Sequence, residues 1–544
     1  MATAETSRGD STAAGPPLAV LDRLLPGPLV DDILDRAAGT APDRCALRAA
    51  DAELTFARLA ARSAACAAGL RAAVGGPGRM IAIATELSPS FAIAFFGVCR
   101  SGNIPVLVNP LLREDGLAHT LGVSGAIAAI VPPDQYARLA AVRSRLPELR
   151  HVILTGTADG VGLPVLADLS RDGSAPPARR PAQPDDVACV QFTSGSTGPP
   201  KAVLLSHRNL TVNAAQTAHA HRLSASSVLF NHLPTFHLMH LTIGLTSTAT
   251  HVLWPQEGVT AAVEAAAANR ATHFYSLPVR LSKLAAEPAL PTLEVPSLRA
   301  FLSGGSALPP STVSALTRQF GVPVAQGYGL QETAPSTHFD DLDRPKAGSS
   351  GPPVAGTECR IVDVDTGAVL PAAAKGEIQV RGPQLMLGYL GRDRADDVGP
   401  GGWFSTGDIG RVDEDGVLFV VDRIKDVFKC DNWLVSPAEV ERVLRGHPGV
   451  RDCAVFDYPD ELSGAVAYGL VVPADERVTA AELTAFAAAR TPYYEHLRFL
   501  ELVDRIPLSS TGKVSRRALR EAACARRGTP TPSGSDIGRR PSLP

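Results

Sequence analysis

The sequence predicts an α/β protein: a large N-terminal domain of two βα sheets with a small β-barrel subdomain, followed by a small C-terminal α+β domain. Three changes of texture predict it. From about Gly27 to Val420, short apolar runs such as Ala128 to Val131, His151 to Leu154, Val228 to Leu233 and Arg299 to Leu302 alternate with longer Ala-rich helical segments, the rhythm of parallel sheets. Between about Pro352 and Arg411 that rhythm gives way to short strands punctuated by glycine, such as Cys359 to Asp363 and Gly376 to Arg381. After Asp422 the chain reads as a compact α+β unit, with the domain boundary between Val421 and Lys425.

Each element has its own signal. Residues 1–17 are expected to be disordered, and they lack the basic segment and apolar run of a secretory leader. Met80 to Val98 is the most apolar stretch, but Glu86 and Pro89 divide it into strand, turn and core helix, so no membrane span is expected. The large domain is placed at 18–421. In the C-terminal unit, 422–525, Pro437 to Leu444 is a helix with an early proline. Cys453 to Tyr458, Tyr468 to Val472 and Phe499 to Val503 are strands, and Thr479 with Glu482 forms a capping box before an Ala-rich helix. The polar tail 526–544 is expected to be disordered.

Composition narrows the function. The 544 residues are 45% hydrophobic and 20% charged, as in an ordinary folded domain, and no internal repeat suggests a solenoid. A net charge of -3 gives no electrostatic footprint for nucleic acid or a membrane surface. The eight cysteines are scattered without Cys-x-x-Cys pairs, so neither zinc nor a disulfide framework is signalled, and a reducing cytoplasm fits.

The richest segment is VACVQFTSGSTGPPKAVLL, residues 187 to 205. Two strand-length apolar runs flank a loop in which Gly195 and Gly198 can turn amides inward, Thr193, Ser194, Ser196 and Thr197 add hydroxyls, and Lys201 adds a cation. These groups suit phosphate. Pro199 and Pro200 prevent a helix from starting at the second glycine, so this is not a Walker loop. Only seven lysines stand among the 52 basic residues, and Lys201, Lys425, Lys429 and Lys513 all fall in segments of unusual polar content.

Further segments carry chemistry. In NHLPTFHLMH, residues 231 to 240, His237 and His240 are spaced as helical metal ligands can be. No further ligand matches, however, and the polar edge of a pocket is the better reading. FLSGGSALP (301–309) and QGYGLQETAP (326–335) end strands with glycines, where α/β sheets collect ligands. Glycines 304, 305, 327 and 329 suggest room for a ring or acyl chain. Glu332 is a candidate Mg²⁺ ligand or a surface residue starting a turn. Asp408 in STGDIG can accept both ribose hydroxyls or merely shape a turn, and Arg423 is a second ribose candidate. Lys513 stands on a glycine turn in PLSSTGKVSR, a reacting lysine or a helix-starting loop.

The ordered set of TSGSTGPPK, a Phe-His after Leu-Pro, GYGxxE, STGD, Arg-x-Lys and a C-terminal Gly-Lys resembles the adenylate-forming superfamily of acyl-CoA synthetases, firefly luciferases and peptide-synthetase adenylation domains. The resemblance spans about residues 30 to 524 and is nearest to the free-standing fatty-acid and coumarate-type CoA ligases. It implies activation of a small-molecule carboxylic acid by ATP to acyl-AMP, then thioester formation with CoA. Thr193 to Gly198 and Lys201 would hold phosphates, Glu332 and Thr193 Mg²⁺, and Asp408 and Arg423 the ribose. Gln326, Gly327 and Tyr328 with Gly304 and Gly305 would form the adenine and acyl pocket, with His237, Leu238 and Gly329 at its acyl side. Lys513 would bridge carboxylate and α-phosphate, and the small domain would be mobile about a hinge at Lys425.

Two positions depart from the superfamily pattern. Gln331 stands where a threonine usually contacts the α-phosphate, and glutamine can donate the same hydrogen bond from a longer arm. Asn432, followed by Trp433, stands where a glycine normally lies against the pantetheine arm. Two readings of the second step therefore stay open, a complete ligase and a half-enzyme passing acyl-AMP to a partner enzyme. A monomer or homodimer is expected. A non-catalytic nucleotide binder would require loss of Lys513, Glu332 or the loop hydroxyls, and a serine hydrolase would require a nucleophile elbow that Ser306 lacks.

Overall fold

The computed structural model describes residues 11–50, 52–158, 160–171, 182–193, 200–233, 237–431, 433–460, 462–507 and 514–527. A seven-stranded sheet runs in the order Gly388–Tyr389, Ala202–Ser206, Val187–Phe192, Ile104–Leu107, Met80–Ile83, Ala128–Val131, His151–Leu154. An eight-stranded sheet runs Ser336–Phe339, Val324–Gly329, Ala300–Gly304, His273–Ser276, Val228–His232, Thr250–Leu253, Cys45–Arg48, Glu53–Thr55. Both are parallel at their centres, as alternating strands and helices dictate, and antiparallel only at their edges.

Helices fill the space between these sheets. Pro89–Arg100 buries Phe91, Phe95 and Phe96 completely, and Ser88 caps it by accepting from Phe91 N at 3.1 Å. It packs on Phe56–Val74 so closely that a Cβ at Gly97 would stand 2.5 Å from Cys66 Sγ. The apolar stretch that looked strongest in the sequence is therefore the central strand and helix of the main core, and no helix among the described residues is long and apolar enough to cross a membrane.

Two expectations need correction. Residues 11–17 are not a disordered lead: Ala13–Ala14 pairs with Glu358–Val362, and Ser11 is buried with its hydroxyl bonded to Ile361 O. A two-residue edge strand is too short to leave a periodic signal. The expected small barrel is a five-stranded sheet with two ends, Ala13–Ala14 and Leu418–Arg423. It curls until a Cβ at Gly416 would lie 3.5 Å from Ala13 Cβ, but its end strands do not pair.

The chain leaves that sheet at Arg423, turns through 424–427, and enters the C-terminal sheet at Phe428–Cys430. There Val450–Asp460 and Gly464–Pro473 form a long antiparallel pair, and Leu497–Leu502 adds in parallel. The helix Pro437–Arg445 is capped by Ser436, and Thr479 caps Ala480–Ala488 by accepting from Glu482 N, whereas the Glu482 carboxylate stands 3.4 Å from His447 Nε2 and does not close the expected box. Polar ties cross the domain boundary. Asp422 accepts from Ser436 Oγ and Ala438 N at 2.8 and 3.0 Å. Lys375, just ahead of the strand Gly376–Arg381, reaches Glu439 and, at 3.1 Å, Glu495 of the small domain. Burial alone would push the Lys375 ammonium down, but the two carboxylates outweigh it and raise its pKa. Lys375→Met leaves those carboxylates facing each other without a cation. It should cost domain docking about 3 kcal/mol, read as faster proteolysis within 424–427 and an earlier unfolding transition of the small domain.

Candidate active site

The strands Val187–Phe192 and Ala202–Ser206 form the antiparallel hairpin expected around the glycine-hydroxyl loop. Its neck is closed by two bonds, Thr193 N to Lys201 O and Lys201 N to Thr193 Oγ1, both 3.1 Å. His119 adds a third tie to Pro200 O at 3.1 Å. The Lys201 ammonium stands 4.6 Å from the centroid of the Tyr389 ring. Residues 194–199, including Ser194, Gly195, Ser196, Thr197 and Gly198, lie outside the described residues.

Tyr389 brings the loop lysine and the acidic motif together. Its hydroxyl donates to Glu332 Oε1 at 2.6 Å, while Met386 N donates to Glu332 O at 2.8 Å. Glu332 is 8% exposed and has no ion pair among the described residues. Burial, with the neighbouring Glu332 carboxylate, pushes the Tyr389 hydroxyl pKa well up, so it stays a donor. A buried carboxylate with one oxygen held by a neutral hydroxyl and no countercharge suits a divalent cation that brings phosphate with it. No cluster of three or more His, Cys, Asp or Glu able to hold a metal by itself occurs among the described residues, so the cation would share the phosphates as ligands.

Asp408 and Arg423 face each other across adjacent strands, Phe404–Val412 and Leu418–Arg423. Arg423 Nε lies 2.8 Å from Asp408 Oδ1, and Tyr328 Oη donates to Asp408 Oδ2 at 2.6 Å. The carboxylate is 3% exposed. Burial raises its pKa above the usual carboxylate range, against the opposing pull of the Tyr328 hydroxyl and the Arg423 guanidinium. Both oxygens are thus oriented by charged or neutral donors while keeping lone pairs for a diol.

At the acyl side, His237 opens the helix Leu238–Thr246, and Gln331 opens the short turn Gln331–Thr333. Their side chains meet at 3.2 Å, Gln331 Nε2 to His237 Nδ1. Burial pushes the His237 imidazole down, so it is neutral at physiological pH. Gln331 is therefore directed at His237, where a bond to the α-phosphate was expected.

The glycines divide. Gly305, at φ +86°, would have nothing within 4 Å of a Cβ, and Gly304 meets only Gly327 O at 3.6 Å. These two border open space. A Cβ at Gly327 would press within 3.0 Å of the Phe339 ring, and one at Gly329 within 2.0 Å of Pro335 O. At those two positions the close approach of the next strand leaves no room for a side chain. Gln326 is likewise committed to the framework: its amide accepts from Leu308 N at 2.9 Å and donates to Ser349 O at 2.6 Å. Leu238 is 2% exposed and packs into the main core. His240 is buried edge-on against Tyr275, with ring centroids 5.4 Å apart, a packed core histidine and no metal ligand.

Lys425 sits in the turn after Arg423, where Ile424 N donates to Gly407 O at 2.9 Å and Asp426 N to Arg423 O at 2.9 Å. Lys513 and Asn432 lie outside the described residues. Ile506 is buried, and Arg516 bonds Val455 O and Glu441 at 3.0 and 2.9 Å. Sequence reasoning missed Tyr389 and His119. Tyr389 could have been suspected from the Gly-Tyr pair in LMLGYL, a small-then-aromatic step inside an apolar run.

Comparison with known proteins shows what the chain is similar to. The AMP-binding enzyme family matches residues 34–390, and the AMP-binding enzyme C-terminal domain matches residues 439–513. A feruloyl-CoA synthase of Amycolatopsis is 34% identical over 89% of this chain and 97% of its own length. 4-Coumarate–CoA ligase 5 of rice (Oryza sativa subsp. japonica) is 30% identical over 94% and 96%. Among solved structures, the anthranilate CoA ligase AuaEII with anthranoyl-AMP superposes with a TM-score of 0.82 at 26% identity, covering 92% of this chain and 98% of its own. The amide bond synthetase McbA of Marinactinospora thermotolerans gives 0.81 at 29% identity, covering 91% and 99%.

The raised pKa of Asp408 sets an acid limit. As pH falls, this carboxylate takes up its proton before an ordinary one would, so nucleotide affinity should weaken earlier on acidification than an unperturbed carboxylate would allow. Asp408→Asn should remove that acid limb and weaken ATP binding roughly tenfold at neutral pH, checked by calorimetric titration across pH.

Proposed function

The chain belongs to the AMP-binding, adenylate-forming enzyme family, and we propose that this site activates a small aromatic carboxylic acid with ATP and transfers it to CoA. The single observation that supports this is the convergence of Lys201, Tyr389 and Glu332 on one point and the pairing of Asp408 with Arg423 at another, groups suited to the phosphates and the ribose of a nucleoside triphosphate. Relatives named for feruloyl and coumaroyl thioesters, matched over most of both chains, support an aromatic acid and a complete ligase.

The enzyme is an AMP-forming acid–thiol ligase, and its chemistry runs in two displacements. A carboxylate oxygen of the acid attacks the α-phosphorus of ATP, and the bond to pyrophosphate breaks. The thiolate of CoA then attacks the acyl carbon of acyl-AMP, and the carbon–oxygen bond to AMP breaks. Negative charge accumulates on the phosphates in the first step. Lys201 and the hydroxyls and amides of the loop would hold the β- and γ-phosphates. Glu332, oriented by Tyr389, and Thr193 would hold Mg²⁺, which neutralises phosphate charge when bound. Lys513 would bridge carboxylate and α-phosphate, then withdraw when the small domain turns about Lys425. Asp408 and Arg423 keep the nucleotide in place through both steps, because they stand on the large domain's side of the turn.

The test is acid-dependent pyrophosphate release from ATP over aryl, fatty and polycyclic acids, with and without CoA, products identified by mass. Aryl acids should give acyl-AMP that converts to acyl-CoA. Acyl-AMP that accumulates despite CoA would show a half-enzyme. Lys513→Ala should lower pyrophosphate release by about a hundredfold or more while leaving thioester formation from supplied acyl-AMP nearly intact, because the lysine is needed only before the domain turns.

A further inference from the structure

We propose that Asp340 is a positioning residue for the nucleotide: its buried carboxylate closes a strap, residues 340–351, that sets Tyr328 and Arg423 against Asp408. This rests on the reading of Asp408 and Arg423 as the ribose site.

The strap is closed on itself. Asp340 is 5% exposed, and one of its oxygens, Oδ1, accepts from Ser349 Oγ at 3.0 Å and from Lys346 N at 3.3 Å. Ser349 Oγ in turn accepts from Gly351 N at 3.3 Å and gives its one proton to the carboxylate. No cation pairs with Asp340 among the described residues. Lys346 sends its ammonium to Asp413 and Asp415 at 2.7 and 2.6 Å, Arg222 pairs with Asp341 and Asp343, and Asp341, next in the chain, adds only repulsion. Burial accordingly raises the Asp340 pKa to about 6, against the pull of its hydrogen bonds. The strap is thus held by hydrogen-bond acceptance, which an amide oxygen can also supply.

The closed strap grips two sheets. On the eight-stranded sheet, Asp340 N donates to Gln326 O at 3.1 Å, and Gln326 Nε2 donates to Ser349 O at 2.6 Å. The amide's orientation is fixed by backbone at both its atoms, since its oxygen accepts from Leu308 N. Gln326 stands two residues before Tyr328 on the strand Val324–Gly329, so the strap is bonded to the strand that aims the Tyr328 hydroxyl at Asp408. On the five-stranded sheet, Ser350 N donates to Leu418 O at 2.8 Å, and Leu418 N donates to Gly351 O at 3.0 Å. Leu418 begins the strand that ends in Arg423, and Lys346 holds the turn leading into it through Asp413 and Asp415. Gly351, at φ +80°, lies so close to the neighbouring strand that a Cβ there would stand 2.0 Å from Phe339 O. Both of the groups that orient Asp408 therefore sit on strands the strap bonds, and opening it at Asp340 would let those strands shift relative to each other.

The experiment measures the steady-state kinetics of pyrophosphate release in full-length variants. Asp340→Leu leaves the Ser349 hydroxyl and the Lys346 amide without their acceptor and should raise the KM for ATP roughly tenfold, with kcat and the KM for the acid changed by no more than about twofold. Asp340→Asn keeps an acceptor oxygen and should restore the wild-type KM for ATP. Because it also removes a buried charge, it should unfold at no lower temperature than the wild type at neutral pH. Ser349→Ala opens the strap from its other end and should raise the KM for ATP by roughly threefold, and it decides the outcome if Asp340→Leu does not fold. An unchanged KM for ATP in Asp340→Leu or Ser349→Ala, an equal rise in the KM for the acid, or an Asp340→Asn enzyme as impaired as Asp340→Leu overturns the proposal. Asp408→Asn separates the two readings. If it leaves ATP binding unchanged, the ribose assignment fails and the strap's role falls with it; if it weakens ATP binding while the strap variants do not, the strap proposal alone fails.

Discussion

The bond network at Asp408 is the constraint on which the arrangement depends. Its carboxylate lies on the curled five-stranded sheet and is held by Tyr328 from the eight-stranded sheet and by Arg423, the last residue of its own sheet before the chain turns into the small domain. Two sheets and the domain boundary are therefore tied to one buried anion. Taking that anion from water is costly, and only the paired donors offset it. An occupant bound there is fixed relative to the turn about which the small domain would move.

A second buried carboxylate joins the seven- and eight-stranded sheets. Glu332 lies in the short turn that follows a strand of the eight-stranded sheet, and Tyr389 belongs to the edge strand of the seven-stranded one, next to the hairpin that carries Lys201. The hairpin neck, the acidic turn and that edge strand are consequently one rigid corner. The two anions differ in their countercharge: Asp408 has its guanidinium within the protein, whereas Glu332 has only a neutral hydroxyl and the nearby face of Tyr389 bearing Lys201. The first position is electrostatically complete and suits a neutral sugar. The second is incomplete and suits a ligand that arrives with a cation.

Much of this was legible from residues alone, because its signals are local. Alternating apolar runs gave the parallel sheets, the early Pro437 and the Thr479 cap gave helix starts, and the apolar runs on either side of the hydroxyl-glycine loop announced a hairpin. What was illegible depends on distant backbone. Gly327 and Gly329 look like the same glycines as Gly304 and Gly305, yet a side chain at either would meet the strand Ser336–Phe339 or its leading Pro335, whereas Gly304 and Gly305 have room on that side. Gln326 reads as a ligand-facing amide, but Leu308 and Ser349 claim both its atoms. Ala13–Ala14 is too short for any periodic pattern, and only its partner strand makes it structure.

The site's polarity also divides by chemistry. A cation, Lys201, stands where phosphate would lie, whereas the helix that begins at His237 carries imidazoles that burial keeps neutral. His240, one turn further along, is pushed well down, and His251 beneath the helix is lowered to about 3. His221, lowered to about 3, bonds the Tyr275 hydroxyl at 2.9 Å, and His338 behind Tyr328 behaves alike. A positive charge at that end would compete with the phosphates' own cations for the substrate carboxylate and hold it away from the α-phosphorus. Neutral imidazoles can orient a carboxylate by hydrogen bonds without binding it as an ion pair, leaving its negative charge available for attack.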